Sequence, residues 1–268
     1  MARHSPSPLE LSQLFLQKYG RPESIGWAPN QRLRFGYYSP ADVYEATVAK
    51  LVRPGYSWID IGGGQDIFPD NAGLARSLVS RCSLVVAVDP SENVRENDFV
   101  HERVQSLIEE YRSDREFDLA TLRMVVEHVQ EPERVVGAIR RLLRPGGLAV
   151  LLTVNLWSPI ATISRLTPFR LHHPIKRLIW GGEEEDTFPV RYLMNTRRKL
   201  RGFFEAEGFR EAEFRFLDDL SAFGRFRILN LAELSLWKLM STLGLHYPEN
   251  CLLGVYERGT DSAAAARI

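Results

Sequence analysis

The stretch that decides the fold is Ser57-Trp58-Ile59-Asp60-Ile61-Gly62-Gly63-Gly64, which follows Pro54-Gly55. A short apolar run that stops at glycines is typical of a buried strand entering a tight loop. Glycines there let the chain turn without a Cβ and let a ligand approach the backbone, at the edge where open α/β sheets bind nucleotides. A plain tight turn would use the same glycines, so the neighbouring strands must decide between the two interpretations.

The residues on either side continue an alternation of strands and helices. We predict helices over 40–51, 72–80 and 132–143, and strands over 57–61, 84–89, 99–105, 117–122 and 148–154. Such alternation over about 110 residues implies parallel crossovers and a doubly wound α/β sheet with helices on both faces. Further on, we predict a helix over 196–207, a strand over 211–217, a helical block over 225–243 and a final strand over 251–256.

An acidic residue closes the second predicted strand. Asp89 follows Asp60 by 29 positions and lies where a carboxylate accepts both hydroxyls of a ribose, although a helix cap is the alternative. The glycines are flanked by Asp60 and Asp66, which would repel a diphosphate and suit a ligand with an ammonium or sulfonium group. The pattern therefore favours a nucleoside-containing cation over a dinucleotide.

Composition limits the classes of function. The 268 residues carry 34 Lys plus Arg against 34 Asp plus Glu, so the global basic excess of a dedicated nucleic-acid binder is missing. Two cysteines exclude a disulfide scaffold and a four-cysteine zinc site, and the reducing cytoplasm is the expected compartment. The first ten residues lack the apolar core of a secretory signal. Charges interrupt the apolar stretch 223–245, which excludes an ordinary spanning helix and leaves a peripheral membrane contact or a pocket cover.

Four motifs in order carry a family resemblance. They are Asp60-x-Gly62-x-Gly64, Asp89 after the next strand, Phe117-Asp118-Leu119 with Glu127-His128-Val129, and Leu143-Arg144-Pro145-Gly146-Gly147. Over 57–155 the chain resembles the class I S-adenosylmethionine-dependent methyltransferases. The resemblance implies a Rossmann-like, seven-stranded, mostly parallel sheet whose last strand is antiparallel, S-adenosylmethionine as cofactor and S-adenosylhomocysteine as product.

The same resemblance implies the cofactor site. Asp60 and the glycines would line the methionine portion, Asp89 the ribose and the segment around Ser106 the adenine, while the turn at Arg123 would offer carbonyl groups to the ammonium. The predicted cofactor-binding residues are Asp60, Gly62, Gly63, Gly64, Asp89, Pro90, Ser106, Leu107 and Arg123. Two positions depart from the family pattern: Asp66 stands where many relatives have a third glycine, and Leu107 where an acid often meets the adenine amine.

Glu127 and His128 follow the fourth strand, near the expected position of the transferred methyl group, and are the candidate catalytic residues. His128 would take a proton from the attacking hydroxyl or amine. The alternative is an inherited helix start with the imidazole bonded to backbone. No metal is expected, because Met124 stands where some quinone-pathway relatives have a metal-binding acid.

The insertion 156–195 mixes apolar and basic residues and is expected to form a helical lid over a hydrophobic, and by its basic rim anionic, acceptor; an ordinary lid packed on the core is the alternative. The predicted division is a helical cap over 1–39, the main domain over 40–258 and a disordered tail over 259–268. The predicted substrate-binding residues are Tyr37, Tyr38, Trp157, Asp186, Arg191 and Tyr192.

The favoured function is O-methylation of a small-molecule or lipid-like acceptor. A nucleic-acid methyltransferase is the alternative within the same chemistry, but Thr121-Leu122-Arg123-Met124 stands where such enzymes carry an Asn-Pro-Pro-Tyr-like tetrapeptide. The third hypothesis is a cofactor-binding scaffold without activity that docks to a membrane or a partner through 223–245.

Overall fold

The computed structural model describes residues 4–158, 189–220, 223–224 and 226–260. Seven strands form one sheet: β1 (Ser57–Ile61), β2 (Leu84–Asp89), β3 (Glu102–Gln105), β4 (Phe117–Arg123), β5 (Leu143–Val154), β6 (Phe209–Asp218) and β7 (Glu249–Arg258). Their order across the sheet is β3-β2-β1-β4-β5-β7-β6. The first five strands pair in parallel, and β7 is antiparallel to both of its neighbours, as predicted.

Within the described residues the chain also forms α-helices α1 (Pro8–Tyr19), α2 (Trp27–Phe35), α3 (Pro40–Leu51), α4 (Ala72–Val79), α5 (Pro132–Leu142), α6 (Arg197–Ala206) and α7 (Arg227–Thr242). Successive strand residues point to opposite faces of the sheet. Trp58 and Leu119 therefore pack in a core with side chains of α1, α3 and α4. Ile59 and Ala120 pack on the other face with α5 and α6. The predicted doubly wound α/β fold is confirmed.

β6 and β7 extend one or two residues beyond their predicted limits at each end, and β3 and β5 differ most from prediction. β5 begins at Leu143 rather than at residue 148, because Leu143 already pairs with Phe117 before a bulge shifts the register. Arg144 stabilises this early start by donating from Nε to Asp118 Oδ1 at 2.5 Å. β3 is shorter than predicted and begins at Glu102, because the Asn97 side chain accepts from the Phe99 amide and holds the preceding residues in a turn.

A buried ionic cluster fastens the first three helices together. Lys18 of α1 lies 2.7 Å from Glu45 and 3.5 Å from Asp42, both on α3. Arg32 of α2 lies 3.2 Å from Asp42. The side chains of Lys18, Asp42 and Glu45 are at most 4% exposed, so their charges are compensated by one another rather than by water.

The cluster is connected to α4 through Asn71, which caps the start of that helix. The Asn71 amide donates to Glu45 Oε2 at 2.7 Å, and its Oδ1 accepts from the Leu74 amide at the start of α4. The segment predicted as a helical cap therefore contains α1 and α2, which are held to the helix that follows the glycine loop. The boundary at residue 39 stays a prediction.

Parts of two other predicted segments lie outside the described residues. Of the predicted lid over 156–195, residues 159–188 fall outside them, including Asp186. Of the predicted tail, Gly259 and Thr260 are described, and the Gly259 amide donates to the Gly208 carbonyl at 3.0 Å. None of the described helices is long and apolar enough to cross a membrane.

Replacing Asp42 by Ala should destabilise the protein by about 3–5 kcal/mol, because Arg32 would lose its carboxylate partner and Lys18 would keep only Glu45. Urea unfolding followed by circular dichroism measures the change. The matched control is Asp98→Ala, which removes a carboxylate that is 93% exposed and pairs with Arg103. Equal unfolding midpoints for the two variants would contradict a stabilising role for the cluster.

Candidate functional site

The glycine loop lies at the carboxyl end of β1, between β1 and α4. Gly62 and Gly64 have φ values of +72° and +53°, a conformation that side chains other than glycine rarely adopt. A Cβ on Gly62 would lie 2.3 Å from Val125 Cγ2, so this glycine packs against the chain that follows β4. A Cβ on Gly64 would meet nothing within 4 Å. The loop is thus closed at Gly62 and open at Gly64.

Asp60 lies directly below this loop and is 2% exposed. It is the register partner of Thr121 on β4, whose hydroxyl donates to Asp60 Oδ1 at 2.6 Å. The Trp58 indole donates in turn to Thr121 Oγ1 at 2.6 Å. These two bonds fix the carboxyl group on the sheet.

The second oxygen of this carboxyl group, Asp60 Oδ2, is buried without a hydrogen-bond partner in the described structure. This oxygen also explains why a glycine stands at position 63, because a Cβ on Gly63 would lie 1.9 Å from it. A buried acceptor that is held in place and left unpaired is suited to a ligand that donates hydrogen bonds or carries positive charge.

Burial, with a smaller contribution from the negative charge of Asp89, raises the pKa of Asp60 to about 7. The hydrogen bond from Thr121 and the positive charge of Arg123 act in the opposite direction but are outweighed. A cation bound beside Asp60 would favour the ionised carboxylate. The site therefore gains most from a positively charged ligand.

Asp89 ends β2 and connects it to the glycine loop. Its Oδ2 accepts from the Gly64 amide at 3.0 Å, and its Oδ1 accepts from the Ser91 amide at 2.7 Å. Each carboxylate oxygen has a further lone pair, so these bonds orient the group without exhausting it. Asp89 thus caps the turn at Ser91, as the alternative interpretation of the sequence allowed. It is also a hydrogen-bond acceptor beside Gly64, on the open side of the loop.

The predicted adenine segment follows β3 on the same edge. The Ser106 amide donates to the Asp89 carbonyl at 3.0 Å, which holds the segment beside the end of β2. Leu107 is 43% exposed and offers an apolar surface there. Pro90 is half-buried between Asp89 and Ser91, and its carbonyl accepts from the Gln105 side chain at 3.4 Å.

Arg123 ends β4 on the opposite side of the glycine loop. Burial raises the pKa values of Asp60 and Tyr44, and the positive charge of Arg123 partly opposes this. The sequence predicts a role only for the Arg123 carbonyl group. Met124 follows with a φ of +54°, an uncommon conformation for a residue other than glycine, and its amide donates to the Leu152 carbonyl at 2.8 Å.

The candidate catalytic pair occupies a short 3-10 helix, Val126–His128, and its two side chains have different surroundings. Glu127 is 4% exposed, and its carboxylate accepts from Thr153 Oγ1 at 2.8 Å. Its carbonyl accepts from the amides of Arg191 at 2.7 Å and Tyr192 at 3.1 Å. Through these contacts Glu127 holds Arg191 and Tyr192 in place beside the segment that follows β4.

His128 is half-buried, and its Nδ1 has no hydrogen-bond partner in the described structure. In the described structure, therefore, the His128 imidazole does not bond the backbone through Nδ1, as the alternative interpretation would require.

The predicted substrate residues do not form one group. The Tyr37 hydroxyl donates to the Asp218 carbonyl and accepts from the Leu220 amide, both at 3.0 Å, so this 3% exposed residue serves packing between β6 and α7. Tyr38 packs edge-on against Phe15 of α1 at 5.6 Å. Trp157 is 75% exposed, and Asp186 lies outside the described residues.

Arg191 and Tyr192 are the substrate candidates that the structure brings to the site, through their amide bonds to Glu127. Tyr192 has a φ of +54°. Sequence reasoning missed Thr121, Thr153 and Asn195. The Asn195 amide donates to Thr153 Oγ1 at 2.8 Å, and this hydroxyl bonds Glu127 in turn. No sequence motif marks these three polar residues. Their hydrogen-bond partners become evident only once the strands are paired.

Comparison with known proteins identifies relatives of this architecture. A family model described as a methyltransferase domain matches residues 31–212. A ubiquinone biosynthesis O-methyltransferase of Xanthomonas oryzae pv. oryzae is 30% identical over 139 residues, which is 47% of this chain and 57% of that protein. Its counterpart in Klebsiella pneumoniae is 29% identical over 103 residues, 36% of this chain and 42% of that protein. The chain thus spans about half the length of these curated relatives.

Solved structures share the fold. Magnesium protoporphyrin IX methyltransferase from Synechocystis PCC 6803, with bound S-adenosylhomocysteine, superposes with a TM-score of 0.50 at 14% identity and covers 92% of this chain and 94% of its own. The YcgJ protein from Bacillus subtilis gives a TM-score of 0.50 at 14% identity and covers 81% of this chain and 98% of its own. At this identity the likeness concerns the fold alone.

Replacing Asp60 by Asn should make the protein relatively more stable as the pH rises. Because the pKa of Asp60 lies near 7 in the folded state and 3.8 is the ordinary value, the folded state holds this proton more tightly than the unfolded state. The stability that Asp60 contributes is therefore present at low pH and is lost as the pH rises through about 7. Asn does not ionise, so the free energy of unfolding of the variant minus that of wild type should increase by about 2 kcal/mol from pH 5 to pH 8.

Urea unfolding at both pH values measures this difference, and Asp98→Asn, at a carboxylate that is 93% exposed, serves as the control. A difference for Asp60→Asn that is equal at pH 5 and pH 8 would show that burial does not raise this pKa.

Proposed function

The chain belongs to the methyltransferase-domain family, among the class I S-adenosylmethionine-dependent methyltransferases, and we propose that it methylates an oxygen atom of a small-molecule or lipid-like acceptor. It is thus an enzyme with S-adenosylmethionine as its cofactor. The oxygen acceptor is supported by relatives that bear the name ubiquinone biosynthesis O-methyltransferase, at about 30% identity.

The observation that carries the proposal is the buried Asp60 carboxyl group with its unpaired Oδ2 beneath the glycine loop. S-Adenosylmethionine carries an ammonium and a sulfonium charge, and an acid that burial has brought to a pKa of about 7 gains from such a neighbour. The open space at Gly64 supports the same ligand, because a Cβ at this position would meet no atom of the described chain within 4 Å.

The residues that would hold the cofactor follow from this placement. Asp60 and the three glycines would contact the methionine portion, and Asp89 with Pro90 would face the ribose. Ser106 and Leu107 would border the adenine, where Leu107 provides apolar contact in place of an acid. Arg123 would adjust the charge balance at Asp60. When bound, the cofactor supplies an electrophilic methyl group on sulfur.

The chain's own contribution to the reaction is orientation and proton removal. His128, with its unpaired Nδ1, would accept the proton of an acceptor hydroxyl as that oxygen attacks the methyl carbon. Glu127 would act as a positioning residue, because its carboxylate binds Thr153 and its carbonyl binds the amides of Arg191 and Tyr192. Through these bonds it would position Arg191 and Tyr192, which lie near the end of the predicted lid segment.

The acceptor class rests on the segment 156–195, whose sequence mixes apolar with basic residues. Arg191 would meet an anionic group of the acceptor, and Tyr192 would provide aromatic contact. The experiment that tests the whole proposal incubates the full chain with S-adenosylmethionine and a panel of phenols, carboxylic acids and amines, and measures release of S-adenosylhomocysteine. Turnover with phenols or acids and none with amines is expected. Cofactor binding without release for any acceptor would favour the inactive scaffold.

Replacing Asp89 by Ala should weaken binding of S-adenosylhomocysteine by tenfold or more, since a charge-assisted hydrogen bond is worth about 1.5–3 kcal/mol. Isothermal titration calorimetry measures the affinity. Asp89→Asn keeps the size of the side chain and should retain part of the affinity, whereas Asp98→Ala should bind as wild type does. Wild-type affinity in a folded Asp89→Ala variant would remove the ribose assignment.

Replacing His128 by Ala should lower kcat about 100-fold, in the range expected for loss of a general base, with little effect on affinity for S-adenosylhomocysteine. The matched control is His246→Ala, which removes an imidazole that is 88% exposed. If kcat stays at the wild-type value, His128 has a structural role only.

A further inference from the structure

Helix α7 presents a broad apolar face to solvent. Ile228 is 84% exposed, Leu239 is 56% exposed and Leu236 is 51% exposed. Leu229, Leu231 and Leu243 are also more than 40% exposed and share the outer side of the helix. An exposed apolar surface of this continuity marks a binding surface rather than the scattered leucines of an ordinary protein exterior.

The orientation of α7 is fixed from its inner side, so the apolar face is not the result of a loosely placed helix. Asn230, Glu233 and Leu234 are buried. The Tyr247 hydroxyl donates to Glu233 at 3.0 Å, and the Trp237 indole donates to Asp218 at 2.6 Å. The inner side of α7 thus combines Leu234 with buried polar residues, while most of its other leucines face outward.

The charged residues that line the groove beside this face are basic. Arg34 of α2 and Lys238 of α7 line a groove of about 500 Å³ between the two helices, together with Gln31, Phe35 and Leu231. Arg227 lies 5.7 Å from the ring of Trp27 and links the start of both helices. Glu233 is the one acidic residue in either helix, and it is buried.

The basic residues beside the apolar face indicate which kind of partner would bind there. A second copy of the chain would meet this face with the same face in a twofold dimer, and would bring Arg227, Lys238 and Arg34 close to their own equivalents. Like charges at an interface oppose association. The surface of a bilayer that contains anionic lipids offers phosphate groups to the cations and acyl chains to the leucines.

We propose that the α2–α7 face docks the protein on an anionic membrane, with Ile228, Leu236 and Leu239 in the acyl boundary and Arg34, Arg227 and Lys238 at the phosphates. The face lies at the edge of the sheet that carries the glycine loop, since α7 is bonded to Asp218 at the carboxyl end of β6. A lipid-dissolved acceptor would thereby be near the cofactor site. The docking itself does not depend on the proposed reaction.

Vesicle co-sedimentation tests the proposal with the full chain. Wild-type protein should bind vesicles of phosphatidylcholine with about 30% phosphatidylglycerol at least tenfold more tightly than vesicles of phosphatidylcholine alone, and should lose this binding at high salt, as expected for an electrostatic contribution. The double variant Ile228→Glu/Leu239→Glu should lose binding at least tenfold. The variant Arg34→Glu/Lys238→Glu should lose the preference for anionic vesicles.

Two matched controls separate the face from general surface effects. Leu9→Glu places an acid at a leucine of α1 that is 67% exposed, and Arg198→Glu/Lys199→Glu makes the same charge change on α6. Both should bind vesicles as wild type does. Circular dichroism and calorimetry with S-adenosylhomocysteine establish that every variant is folded, independently of turnover.

Three results would overturn the proposal. Wild-type protein that remains in the supernatant with anionic vesicles would exclude docking. Equal losses in the α7 variant and the Leu9 control would exclude this face as the site. A dimer in sedimentation equilibrium without lipid that Ile228→Glu/Leu239→Glu dissociates would assign the face to a second copy instead.

Discussion

The hydrogen bond from Thr121 to Asp60 is the interaction on which the site depends. It forms because β1 and β4 pair in parallel with these two residues opposite each other, and it holds a carboxyl group out of water at the point where the sheet ends. The consequence is an acid whose pKa burial raises to about 7 and whose second oxygen is unpaired. Such a group opposes folding at neutral pH, and the cation-binding role proposed above accounts for its presence.

Much of the fold is predictable from the sequence because the patterns that predict each helix and strand lie within short segments of the chain. The alternation of apolar runs with helical stripes predicts β1, β2, β4 and α5 within a residue or two, and their order implies parallel pairing. The limits of β3 and β5 are less predictable, because the Asn97 turn and the bulge after Phe117 depend on contacts between separate segments. The start of α3 is predictable from the sequence, since Ser39 precedes Pro40 and forms a capping box with Asp42.

The candidate site is predictable only in part, for a physical reason. Asp60, the glycines and Asp89 carry a motif, because backbone conformation and strand ends constrain which residues can stand there. Tyr37 shows the opposite case: an aromatic residue near a cap helix is a reasonable pocket residue until its hydroxyl is found between two backbone groups. Thr121 and Asn195 have no motif, and their importance follows from partners about 40 to 60 positions away in the chain. Distant pairing of this kind is fixed by the sheet and not by any local pattern.

The position of β7 has a consequence for how the molecule is assembled. In the sheet order, β7 lies between β5 and β6 although it follows both in the chain. During synthesis on the ribosome, β6 therefore has no strand to pair with until β7 has emerged, while β1 to β5 can already form their parallel pairs. The amino-terminal part of the sheet, with Asp60 and the glycine loop, can mature first, and the part that supports α7 closes as the late step.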